Sequence, residues 1–316
     1  MKKVILAWAL LFACNTMWAL QFTSVKLIQD QVGPYFGVFG PMLFATILLI
    51  PFVYKDFNKG GKKNWRDVLV FAQLALLGAF PAQVFMTWGA QYSLASNAAI
   101  LSLTLPVITA VFAFILLKEK MSAIRWLSFI IAIVGVILCS TGDVKQMDFD
   151  SKYAIGNMLI FISIIGSAYY NVICKKIGER YTEYQLLFYS NISLLILISP
   201  LVFIFEGDVF QRIPDFTTQT WTGMSMLGIF HNFLSMILFF KALKMLEATQ
   251  VALSNYLITF MGLPIAAIWL GEKLNSGAIV GGVLVLISTL IITVVDYKLS
   301  KRKPVEEPAV LMKVVS

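Results

Sequence analysis

His231 is the one histidine among 316 residues. It is therefore the only side chain whose ordinary pKa, about 6.5, lies near neutrality. Asn232 follows it, and with Gly228 and Ser235 the pair forms a small, polar stripe at helical spacing. Such a stripe can hydrogen-bond a solute, pass a proton or bridge two helices. Similar stripes recur. Gln83, Thr87 and Gln91 stand at four-residue spacing, and Asn97, Ser102 and Thr104 precede Pro106. Asn255, Thr259 and Gly262 share a face, flanked by Ser254 and Tyr256. Asn15, Trp18 and Phe22 share another, with Gln21 beside it, and Tyr169, Tyr170 and Asn171 form a last cluster. All of these groups bind through hydrogen bonds or ring faces.

Covalent chemistry has no comparable support. A single histidine leaves no His-Glu-x-x-His zinc motif, and no Gly-rich phosphate loop of the Walker type occurs, so neither zinc nor ATP is implied. His231 has no carboxylate partner in its own apolar run, so a nucleophile–base pair is missing. Cys14, Cys139 and Cys174 each sit inside an apolar run without metal-ligand spacing and are expected to be core residues. No cofactor is expected, and the chain is not expected to be an enzyme.

The elements that must hold these residues follow from composition. The chain is 59% hydrophobic and 13% charged, with mean hydropathy +0.82. Soluble domains sit near 45–50% apolar and about 25% charged, and a chain of this size cannot bury such an excess. Ten apolar runs of about 20 residues are each long enough to cross a bilayer as a helix: 4–24, 35–54, 68–90, 98–117, 124–141, 153–173, 186–205, 221–243, 251–270 and 277–295. The expected fold is thus an all-α integral membrane protein with ten transmembrane helices. Met1-Lys2-Lys3 before an apolar run resembles a secretory signal, and Leu11-Phe12-Ala13-Cys14 a lipoprotein site. The run continues past Cys14, however, and its removal would leave nine spans, so it is expected to stay as a span.

Basic residues set the orientation. With the N-terminus in the cytoplasm, 20 of the 25 Lys and Arg fall on the cytoplasmic side, and only Lys26, Lys145, Lys152, Arg212 and Lys273 fall outside. Both termini are then cytoplasmic, in the cell (inner) membrane, and residues 298–316 form a flexible tail. The net charge of +8 is spread over short loops, which argues against nucleic acid as a partner.

The run from Ala98 ends in Leu117-Lys118-Glu119-Lys120 and contains Pro106. The run from Val251 ends in Leu270-Gly271-Glu272-Lys273 and contains Pro264. Glu119 and Glu272 lie about half the chain apart, the mark of an internal repeat. Five spans per half is an odd number, so the second half must insert inverted: 1–142 is one five-helix repeat and 143–297 its inverted copy. The match is imperfect, because Thr259 stands where Pro106 would repeat. Pro106, Glu119, Pro264 and Glu272 are expected to be structural or gating residues.

These repeat endings, with Trp18 and Lys26 in the first span, resemble the EamA-type transporter family of the drug/metabolite transporter superfamily over about residues 4–297. The resemblance implies secondary transport of small organic solutes through a cavity lined by the third, fourth, eighth and ninth spans, with the first and sixth nearby. The expected function is therefore a secondary transporter, and an exporter, of a small neutral or zwitterionic metabolite such as an amino acid, by alternating access. The expected solute contacts are His231, Asn232, Ser235, Asn255, Thr259, Gln83, Thr87, Asn15, Trp18, Gln21 and Ser102. Partners are the solute and the lipid bilayer, with the chain a monomer or a homodimer; Gly277 and Gly281 have a close-packing spacing that suits either. The alternatives are a flippase for lipids or amphipathic compounds and a membrane-embedded enzyme.

Overall fold

The computed structural model of the chain describes residues 2–61, 64–117, 123–139, 153–246, 251, 254–271, 276–277, 279–284, 287 and 291. Among them every regular element is helical. The helices are α1 (Lys2–Ile28), α2 (Pro34–Lys55), α3 (Asp67–Tyr92), α4 (Ala95–Leu116), α5 (Ala123–Cys139), α6 (Ala154–Ile177), α7 (Glu183–Phe205), α8 (Thr218–Met245) and α9 (Tyr256–Leu270). Further helical residues lie between 276 and 291. Seven helices, α1–α4 and α6–α8, are long and apolar enough to cross a membrane by length and composition. The protein is thus a multi-pass membrane protein; ten spans remain a reading of the sequence. Glu119, Glu272 and the tail lie outside the described residues.

Local sequence explains the helix ends. Thr182 and Gln185 form a capping box at the start of α7, each side chain bonded to the other's backbone N–H at 3.3 Å. Pro34 opens α2, where a missing N–H costs nothing. α9 stops at Gly271, whose φ of 64° is the left-handed conformation glycine adopts without strain. Long apolar faces remain exposed, for example at Ile5, Phe44, Ile196 and Ile268, as expected of surfaces that meet lipid.

The order of packing crosses the chain. α1 lies against α8 and α9, α6 lies against α3 and α4, and α2 pairs with α7. Backbones touch where α3 meets α6. A Cβ on Gly89 would come within 2.7 Å of the Gly156 carbonyl, and one on Gly166 within 2.9 Å of the Gly78 carbonyl. Small residues let helices approach this closely where lipid offers no hydrophobic drive.

Three helices depart from α geometry, α4 through a 3-10 turn at Ser102–Thr104. α3 carries π-helical stretches at Leu74–Ala79 and Pro81–Phe85, and α8 carries one at Met226–Ser235. Pro81 supplies the reason in α3. It has no N–H for the Leu77 carbonyl, and the Phe80 N–H bonds five residues back to Ala75. In α8 the Ser235 hydroxyl donates to the His231 carbonyl, the oxygen that an α-helix would give to the Ser235 N–H.

Polar networks tie the bundle at both ends. At one, Asp67 pairs with Arg180 at 2.8 Å, accepts the Tyr181 hydroxyl at 2.8 Å and accepts the Asn64 N–H at 3.2 Å. Lys244 joins the same loop through the Tyr181 carbonyl and Glu183. Burial, and behind it the hydrogen bond to Asp67, push the Tyr181 hydroxyl up to about 12. At the other end the Glu206 carboxylate accepts the N–H groups of Tyr35 and Phe36, at the positive end of α2, and Gln31 bonds Asp215, Thr217 and Thr220 ahead of and within the first turn of α8.

Candidate functional site

The crossing of helices leaves a central cavity of about 110 Å³, several times what one water requires. Its wall draws on both halves of the sequence. Trp18, Gln21 and Phe22 come from α1, Met42 from α2, Ala79, Ala82, Gln83 and Met86 from α3, and Ser102 and Leu105 from α4. Ile164, Ser167, Tyr170 and Asn171 come from α6, Ser190, Asn191 and Leu194 from α7, His231, Asn232, Met236 and Phe239 from α8, and Ile258 from α9. Among the described residues the wall contains no Asp, Glu, Lys or Arg. It is mostly apolar with a few convergent polar groups, the usual make-up of a small-molecule site. The π-helical stretches of α3 and α8 both open onto it, through Ala79, Ala82 and Gln83 and through His231 and Asn232. π-turns are rare and concentrate at functional sites.

Several wall atoms are buried and have no hydrogen-bond partner among the described residues: the Trp18 indole nitrogen, Asn191 Nδ2 and both ring nitrogens of His231. Native interiors satisfy almost all such groups. The Trp18 ring centroid lies 6.3 Å from that of His231 and 5.1 Å from that of Phe239. Three wall hydroxyls are satisfied within the protein: those of Tyr170 and Ser190 bond each other at 2.8 Å, and that of Ser102 donates to the Ala98 carbonyl at 2.8 Å.

Of the expected solute contacts, the structure brings His231, Asn232, Gln83, Trp18, Gln21 and Ser102 to this cavity, and with them Phe22, Tyr170 and Asn171 from the other polar and aromatic clusters. Ser235 is buried with its hydroxyl turned onto its own helix. Thr87 is buried where α3 faces Gly37 of α2. Asn15 bonds the Leu11 carbonyl and the Ser254 hydroxyl, each at 2.8 Å, and so joins α1 to the turn before α9. Thr259 and Pro264 lie on α9, with side chains outside the described set, and Pro106 is buried in α4. Ser190 and Asn191 on α7 escaped the sequence reading. Their signal, polar residues inside an apolar run, is the same as that at Asn232.

Asn255 opens α9 without capping it, is 1% exposed, and has no partner for either amide atom among the described residues. A buried unsatisfied amide costs about 1–3 kcal/mol. Asn255→Leu, of similar volume, is therefore expected to raise stability by about 1–2 kcal/mol in thermal unfolding while leaving transport within about twofold of wild type. A fall in melting temperature would show that the amide does have a partner.

The sequence profile of the EamA-like transporter family matches residues 5–141 and again residues 154–294. A transporter of Clostridium kluyveri is 27% identical over 285 residues, covering 87% of this chain and 88% of that one. The S-adenosylmethionine uptake transporter of Rickettsia bellii is 25% identical, covering 90% and 95%. A crystal structure at 14% identity superposes with a TM-score of 0.64 over 93% of this chain and 98% of that one, which shows a shared fold. With the family's domain present twice and spanning nearly all the helices that build the cavity, the protein belongs to the EamA-like transporter family.

Proposed function

We propose that this membrane transporter moves a small organic solute of no net charge, outward, by alternating access between two inverted five-helix halves, 1–142 and 143–297. The observation that carries the reading is a cavity wall contributed by both halves that is charge-free among the described residues, with buried polar atoms that lack partners among them. Desolvating an unpaired ion there would be expensive, whereas a neutral solute or a zwitterion brings no net charge. Reciprocal packing supports the inverted halves: α1 on α8 and α9 answers α6 on α3 and α4, and π-turns occur in the third helix of each half.

Reconstituted protein should accumulate at least one labelled neutral amino acid in inside-out vesicles, with saturation. Scrambling of labelled phospholipid without movement of any soluble solute would favour the flippase instead. S-adenosylmethionine, the solute named for the rickettsial relatives, carries a sulfonium charge that no acid among the described wall residues balances. It is expected to be carried less well than a neutral amino acid.

The orientation has its own test. Asp208 precedes the helical turn Val209–Arg212 on the expected outer side, and Lys59 follows α2 on the expected inner side. In intact cells a membrane-impermeant thiol reagent should modify Asp208→Cys and spare Lys59→Cys. The reverse pattern would overturn the orientation and, with it, outward transport as drawn here.

A further inference from the structure

We infer that Lys26 and Lys175 are a pair of latches, each holding the cavity shut at one end, and that the transport cycle releases them in turn. The inference rests on the transporter reading above and names two contacts that its moving parts must break.

Both lysines stand one turn past the cavity wall. On α1 the last wall residue is Phe22, and Lys26 follows four positions later; on α6 it is Asn171, and Lys175 follows four positions later. Each ammonium reaches the end of another helix. Lys26 Nζ donates to the Gln91 carbonyl in the last turn of α3 at 3.3 Å. Lys175 Nζ donates to the Leu243 and Leu246 carbonyls at the end of α8, at 2.5 and 2.7 Å. The last four carbonyls of a helix have no partner within it, and a cation there also meets the negative end of the helix dipole. A side chain answers in each case. The Gln91 amide donates to the Val32 carbonyl after α1 at 3.1 Å, and the Lys244 ammonium donates to the Tyr181 carbonyl after α6 at 2.8 Å.

The spacing marks one device used twice. Lys175 follows Lys26, and Tyr181 follows Val32, by the same 149 positions; Lys244 follows Gln91 by 153, as Glu272 follows Glu119. The two copies lie at opposite ends of the bundle. Val32 stands just ahead of α2 and Tyr181 just ahead of α7, while Gln185 in the first turn of α7 bonds the Asp56 carbonyl past the far end of α2 at 2.5 Å.

Position decides what these bonds do. α1 packs with α8 and α9, and α6 packs with α3 and α4. Each lysine bond therefore runs from one group of helices to the other, Lys26 from α1 to α3 and Lys175 from α6 to α8. Parting the groups at either end must break the bond at that end. The ammonium and carbonyls so freed are costly to leave dry, so a latch opens where water enters. The latch at the other end stays made and keeps the groups together there.

The test reads access to the cavity and needs no solute. Full-length protein carrying Cys14→Ala, Cys139→Ala and Cys174→Ala receives Ser167→Cys as a probe in the cavity wall. A membrane-impermeant anionic thiol reagent is then applied to intact cells and to inside-out membrane vesicles. Lys26→Met keeps a linear side chain and removes the donor; it should speed labelling about tenfold from one face only. Lys175→Met should speed it about tenfold from the other face only, because each variant shifts the population toward one open state. Lys26→Arg and Lys175→Arg keep a donor and should label within about twofold of the parent. Lys26→Gln and Lys175→Gln repeat the comparison if the methionine variants fail to fold. Rates that change from neither face, or equally from both, make the lysines ordinary helix caps; the latches are then overturned and the transporter reading stands. Selective labelling in a protein that carries no solute upholds the latches and overturns the transporter reading instead.

Discussion

Asp67→Ala should destabilise the protein by about 2–4 kcal/mol, measured as the loss in thermal or denaturant unfolding of the purified protein. Its side chain is 7% exposed and neutralises Arg180, accepts the Tyr181 hydroxyl and accepts the Asn64 N–H. Breaking a buried ion pair by removing one partner costs about 3–5 kcal/mol. The Arg180 side chain is 39% exposed, so water recovers part of that, but the stranded Tyr181 hydroxyl adds about 1–3 kcal/mol. Asp67→Asn, which keeps an acceptor, should cost less than alanine. A loss below about 0.5 kcal/mol for Asp67→Ala would mean that the network is an ordinary solvated surface pair. The same network has an alkaline signature. Tyr181 keeps its proton up to about 12 in the folded protein, against about 10 when unfolded. The stabilisation from its protonated form is complete below about pH 10 and is lost as pH rises through about 12. Tyr181→Phe should flatten that part of the profile.

Gln83→Leu should reduce transport at least tenfold while the yield of folded protein stays within about twofold of wild type. Gln83 lies in the second π-helical stretch of α3 and lines the cavity. Its amide makes no hydrogen bond among the described residues, so leucine removes nothing from the fold beyond one polar end. What it removes is a contact with whatever enters the cavity; a site built to bond a polar group loses orders of magnitude when one partner goes. Thr87 is the control. It stands one turn further along α3 but is buried against α2, so Thr87→Val should leave transport near wild type. Equal loss of yield and transport in Gln83→Leu would assign the residue to packing.

The sequence made the helices legible because membrane spans are long, uniform and separated by polar loops, and the capping box at Thr182 and the stop at Gly271 can be read directly. Faces were harder. A polar stripe tells which side of a helix differs, but not which neighbour covers it. Gln83 and Thr87 share a stripe, yet one lines the cavity and the other faces Gly37. Ser235 sits beside His231 in sequence pattern and turns its hydroxyl onto the helix backbone. Asn191 is an amide in an apolar run, but α7 is not among the spans that the family resemblance puts around the cavity. The π-turns left no periodic signal; Pro81 was the one hint, and a proline alone reads as a kink. Asn15 shows the deepest limit, since its partner Ser254 lies 239 positions away, and no local pattern encodes a pairing across that distance.

That distance also governs how the protein is made. α1 leaves the ribosome first, but it packs against α8 and α9 and bonds Ser254. At about 5–20 residues per second, Asn15 waits roughly 10–50 s in the bilayer for its hydroxyl partner to be synthesised. An amide stranded in hydrocarbon for that long would be expensive, and the second bond of Asn15, to the Leu11 carbonyl one turn back, lies within α1 itself and is ready at once. The first helix can therefore be inserted early and stored, with the Asn15 amide nitrogen already bonded to its own backbone, until α8 and α9 arrive to close around it.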